Sequence, residues 1–96
     1  MATYICLGDW TQQGIENIQD SPGRLDDAKA AVEAAGGAIR DFYMTTGAHD
    51  MVLVLEVPDD AALAKVLLTL GSKGSIRTTT MRAFTESEYR EILESL

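Results

Sequence analysis

His49 is the only histidine in the chain, and Asp50 follows it directly. An imidazole beside a carboxylate is a pairing that acid–base chemistry uses, because the ring titrates near neutrality and the anion polarises it. Consecutive residues of an extended strand point to opposite faces, however, so sequence neighbours need not bond. The competing reading is a turn histidine, with Asp50 making a local side-chain to backbone bond. A single histidine excludes a multi-histidine metal site within one chain, and no metal-ligand spacing occurs elsewhere. No metal and no cofactor is expected.

Arg77 is followed by Thr78, Thr79 and Thr80, a cation with hydroxyls suited to an anionic ligand. Threonine is also a good strand former, and edge strands commonly carry charge. Arg24 falls in the first turn of a predicted helix, where a cation opposes the macrodipole and so points to a specific partner such as an acidic side chain. Tyr4, Trp10, Phe42 and Tyr43 either wall an apolar cleft between helices and sheet or simply pack the core. Tyr4, Trp10, His49 and Arg77 are the candidate ligand-binding residues, with His49 and Asp50 as the weaker catalytic pair. Gly71-Ser72-Lys73-Gly74 follows a helix and lacks the strand-to-helix setting of a phosphate loop. Paired carboxylates and a nucleophile elbow are absent too.

The secondary structure around these residues can be read from composition and periodicity. Ninety-six residues suit one domain, taken as residues 1–96. Apolar residues supply 46%, enough to build a core, so disorder is a poor reading. The formal charge is −7 and the basic residues are scattered singly. Nucleic acid and anionic membranes are therefore poor partners. Cys6 has no second cysteine to pair with and is expected to act as a small core hydrophobe. The sequence shows neither a signal-peptide pattern nor an apolar run of about 20 residues that a membrane span needs. A reducing cytoplasm is the expected location.

Ala2–Trp10 alternates as a strand does. Thr11 caps a short turn, and Ser21-Pro22 reads as the N-cap and first position of a helix. That helix carries Leu25, Ala28, Val32 and Ala35 on one face and ends at Gly36-Gly37. Strands over Ala38–Thr45 and Met51–Val57 flank a short glycine-containing connection, which predicts a hairpin. Pro58-Asp59-Asp60 opens a helix with Leu63, Val66, Leu67 and Leu70 on one face. A fourth strand spans Ser75–Ala83. Thr85-Glu86-Ser87-Glu88 then fits a capping box for a last helix striped by Tyr89, Ile92, Leu93 and Leu96. The order is a ferredoxin-like βαββαβ of the α+β class, a four-stranded antiparallel sheet with an extra C-terminal helix.

Two helices cover only one face of such a sheet, and the other should alternate to polar if water wets it. In Met51–Val57 only Glu56 is polar. Either the C-terminal helix folds over that second face, or an identical sheet packs against it in a two-fold dimer. Self-association is the favoured expectation.

Several short stretches, in order and spacing, resemble the GYD domain family over nearly the whole chain. They include Trp10-Thr11 with Gln13-Gly14-Ile15, Asp20-Ser21-Pro22 with Arg24, Gly36-Gly37, and Gly47-Ala48-His49-Asp50. Pro58-Asp59-Asp60, Gly74-Ser75-Ile76-Arg77-Thr78-Thr79-Thr80 and Arg82-Ala83-Phe84 complete the set. The family is similar to the dimeric α/β-barrel proteins, which implies paired ferredoxin-like sheets and no assigned biochemistry. Its naming motif usually has tyrosine before the aspartate. His49 stands there instead, so a role built on a phenol hydroxyl does not carry over.

Three functions follow as expectations. The first is a homo-oligomeric module, a homodimer or larger, that binds a small organic ligand in a cleft between sheet and helices. The second is a protein-interaction or assembly module without a small ligand. The third is a cofactor-independent monooxygenase-like enzyme with His49 as base, which rests on fold analogy.

Overall fold

The computed structural model describes all residues from Met1 to Leu96. Strand β1 (Ala2–Trp10) leads into a short helix α1 (Gln12–Glu16) and a single 3-10 turn over Ile18–Asp20. Helix α2 (Ser21–Ala34), strands β2 (Ala38–Met44) and β3 (Met51–Val57), helix α3 (Asp60–Ser72), strand β4 (Ile76–Ala83) and helix α4 (Glu86–Glu94) follow. The strands form one sheet in the order β2-β3-β1-β4, and every neighbouring pair is antiparallel. This is the α+β, ferredoxin-like arrangement that the order of apolar periodicities implies.

Local chemistry sets most of the boundaries. The Thr11 hydroxyl accepts the Gly14 N–H at 3.1 Å and caps α1. Gly14 has no room for a side chain, because a Cβ there would lie 2.1 Å from the Ser75 carbonyl oxygen. At the end of α2, Gly37 N–H donates to the Val32 carbonyl and Gly36 N–H to that of Glu33. Gly36 takes a φ of +87°, which completes a glycine-closed helix end and satisfies two orphan carbonyls. Asp59 caps α3 by accepting the Ala62 N–H at 2.8 Å. The capping box of α4 forms in both directions: Thr85 Oγ1 accepts from Glu88 N–H and Glu88 Oε1 from Thr85 N–H.

Two local expectations change. Ser21 is already helical, and Asp20 occupies the cap position without a side-chain bond. The 3-10 turn runs straight into α2, so its backbone does the work expected of the serine hydroxyl. Arg24 finds no acidic partner. Its guanidinium donates to the carbonyls of Asn17 at 2.9 Å and Gly14 at 3.1 Å, groups that the end of α1 leaves without helical partners.

The core lies between the sheet and helices α2 and α3. Tyr4, Cys6, Leu53, Leu55 and Val57 point into it, with Val32 and Val66 pressed on them from the helices. The intervening residues of β1 and β3 face the other way, and the register aligns them. Ile5 lies beside Val54 and Met81, and Leu7 beside Val52. All four residues of the central strands in this patch are only half-buried. Helix α4 buries none of its residues, and Tyr89, Ile92, Leu93 and Leu96 remain exposed. The C-terminal helix therefore does not close the second face of its own sheet. No helix is long and apolar enough to cross a membrane.

Candidate functional site

Polar chemistry gathers where β1 meets the loop between β2 and β3. Antiparallel register carries the end of β1 past the start of β3, and Gly8 sits opposite Met51. Asp9 therefore meets the loop residues just ahead of Met51. Its Oδ2 lies 3.1 Å from His49 Nδ1, and its Oδ1 accepts the Asp50 N–H at 3.2 Å. Asp50 turns away from the imidazole, and its carboxylate accepts the Trp10 N–H at 3.0 Å. The Thr45 hydroxyl donates to the His49 carbonyl at 2.6 Å and fixes the loop from inside.

His49 thus pairs with Asp9, not with its sequence neighbour. When Nδ1 donates to Asp9, Nε2 is left as the acceptor, which is how a carboxylate orients an imidazole base. Asp50 serves as a backbone clamp, reaching across strands where a local turn bond was the alternative. Arg77 lies beside Asp9 in register on β4. Asp9 was absent from the sequence candidates. The one signal for it is the β1–β3 register, because the hairpin loop must end opposite the last residues of β1.

A second feature lies on the helix side of the sheet, a cleft of about 80 Å³. Trp10, Leu25, Phe42, Leu70, Cys6 and Met51 line it. Arg24, Asp27 and Lys73 also line it. Gly8 lets Met51 and Ile76 close on the strand, since a Cβ there would approach their side chains to 2.7 and 2.9 Å. Burial pushes the Cys6 thiol above its ordinary pKa, so the thiol stays protonated and unreactive near neutrality. The space is smaller than the ~300 Å³ at which drug-sized pockets begin, so it suits only a few heavy atoms.

The four sequence-predicted ligand residues are not brought together. Trp10 lines the cleft with Phe42. Tyr4 shares its face of β1 but sits about 20 Å away along the strand, with its hydroxyl bonded to the Asp60 carboxylate. That bond, then burial, raises its pKa. His49 bonds to Asp9, whereas Arg77 is only the register neighbour of Asp9, on the other side of the sheet from the cleft. Tyr43 pairs with Val52 there and is 60% exposed, so it walls no cleft.

The profile of the GYD domain family matches residues 4–93. The chain is 33% identical over 84 residues to a "Glutamine synthetase and cystathionine beta-lyase binding protein" of Thermus thermophilus, covering 86% of this chain and 88% of that one. Among solved structures it resembles a feast or famine regulatory protein of M. tuberculosis complexed with L-methionine. That match has a TM-score of 0.67 and 16% identity, and it covers 88% of this chain but only 51% of the regulator. TTHA0845, also of Thermus thermophilus, superposes with a TM-score of 0.57 and 22% identity, covering 88% of this chain and 95% of that one. These two likenesses speak to fold alone.

Proposed function

The chain belongs to the GYD domain family, and from that premise we propose a homo-oligomeric binding module. In this reading residues 1–96 act as one domain, two copies stack their uncovered sheet faces as a dimeric α/β barrel, and each cleft holds a small organic ligand beside Trp10. The observation that carries it is the patch of Ile5, Leu7, Val52 and Val54, apolar in register and covered by no helix of the chain. Burying the open half of each such side chain contributes about 1 kcal/mol, so a handful on each copy competes with the cost of association. The exposed stripe of α4 is then free to brace the partner copy, and the Asp9–His49 pair lies at the rim of the stacked faces. A reducing cytoplasm suits the single thiol.

Sedimentation equilibrium at micromolar concentration tests this reading. A dimer is expected for the native chain and a monomer for Val54→Asp. A native chain that sediments as a monomer overturns it.

A second reading is a protein-docking module, and the name of the 33% identical relative favours it. Here the exposed stripe of α4 holds the partner enzyme. Biolayer interferometry with purified glutamine synthetase should show binding that Ile92→Ser with Leu93→Ser abolishes. Equal binding by that variant removes the helix from the interface. The oriented imidazole supports the enzyme reading only weakly, and unchanged turnover of a phenolic substrate in His49→Ala would discard it.

A further inference from the structure

The cleft on the helix side keeps its charged neighbours out of play. Arg24 lines it, but its guanidinium is bonded to the carbonyls of Asn17 and Gly14, two residues outside the lining. Asp27 and Lys73 are exposed members of the lining, and such side chains keep their charged ends in water. Most of what remains is hydrophobic, with Trp10, Leu25, Phe42 and Leu70 among it. Cys6 adds a neutral thiol rather than an anion, because burial holds it protonated. The other polar residues of the lining, Ser21, Ser75 and Thr78, carry hydroxyls only.

From this neutral, mostly apolar lining we infer that the cleft takes an uncharged, compact aliphatic molecule carrying at most one neutral polar group. A carboxylate or ammonium entering it would lose its water without meeting an opposite charge inside, which is costly. A short hydrocarbon group meets no such penalty and gains by leaving water. It also gives dispersion partners to side chains that otherwise border unfilled space. The volume of about 80 Å³ is near half that of a cavity of about 150 Å³ that holds benzene, so about three or four carbons fill it. A branched aliphatic group fits, and an aromatic ring does not. The inference rests on the ligand-binding cleft of the proposed module and adds the chemical class of what fills it.

Trp10 is the only tryptophan and lines the cleft, so its fluorescence reports on occupancy. Isobutanol, isobutyrate and isobutylamine share one branched aliphatic group and differ in charge at neutral pH. Isobutanol is expected to give a saturable change at roughly millimolar concentration, as burial of so few carbons allows. The two ions should bind at least about tenfold more weakly. Benzyl alcohol, whose ring exceeds the space, should also bind more weakly than isobutanol. Ala28 lines the cleft and is 7% exposed, so Ala28→Leu grafts an isopropyl group onto the lining. That variant should keep the native circular dichroism and lower isobutanol affinity about tenfold. Should it fail to fold, the ranking of the four probes on the native chain still decides the matter. If isobutyrate or isobutylamine matches isobutanol, the uncharged class is overturned while the cleft stands as a binding site. Tighter binding of benzyl alcohol overturns the aliphatic class in the same way. A folded Ala28→Leu chain that binds isobutanol unchanged puts the site elsewhere and overturns the inference. If no probe moves Trp10, the cleft is lost as a binding site together with this inference, and sedimentation still judges association separately.

Discussion

The two faces of the sheet are built from the same strands yet behave differently. On the helix side, Leu55 and Val57 of β3 and Cys6 of β1 are almost fully enclosed. One residue along, Val54, Val52, Ile5 and Leu7 carry side chains of similar character and remain half open. Strand periodicity of two guarantees this division, because adjacent residues face opposite ways. Apolar content therefore tells how many faces need cover, while helix count tells how many receive it. Here demand exceeds supply by one face.

Substitutions on the two faces sharpen the contrast. Leu55→Ala should cost about 3 kcal/mol in urea unfolding, the usual loss when a buried leucine leaves a cavity. Val54→Asp should leave the stability of a lone chain nearly unchanged. It should weaken self-association about 100-fold in sedimentation, because stacking would bury an unpaired carboxylate. An equal loss of stability for both variants in dilute solution would erase the distinction. Thr80→Val comes next. Its hydroxyl is buried on the covered face beside the Cys6 thiol, a weak donor, with no oxygen or nitrogen partner, so removing it should change stability by less than about 1 kcal/mol.

The smallest effect concerns α4, which neither face holds. The Thr85 backbone N–H, then its hydroxyl, holds the Glu88 carboxyl below the ordinary value of 4.5. A depressed carboxyl stabilises the fold fully above its unfolded value and loses that contribution as pH falls through the folded one. Amide shifts of α4 should therefore move toward coil only as pH falls below 4.5, and before the sheet changes. Simultaneous loss of both would show that α4 is packed more firmly than its exposure indicates.

Much of this fold was legible in the sequence for local reasons. Thr85 and Glu88 have the spacing of a reciprocal cap, and Gly36-Gly37 supplies the left-handed residue that ends α2. The apolar stripe of α3 gives the face that packs, and Val66 on it is the residue that is buried. What was not legible depended on how elements end and which strands lie side by side. Arg24 answers carbonyls that exist only because α1 stops where it does, so no carboxylate search finds its partner. Asp9 becomes the neighbour of His49 only through strand register, whereas the adjacent Asp50 drew attention merely by its position. Tyr4 and Trp10 share parity, which correctly gives one face, but parity does not reveal that α3 and Asp60 claim one while the cleft claims the other.

The order of strands has a kinetic consequence. Both neighbours of β1 come from much later in the chain, with Thr3 finding Glu56 on one side and Ala83 on the other. No early segment can complete the sheet alone, and closing such long loops costs entropy before any contact offsets it. Emergence from a ribosome would leave β1 unmatched until the distal strands arrive. Completion of the sheet therefore waits for β4, the last strand to be made.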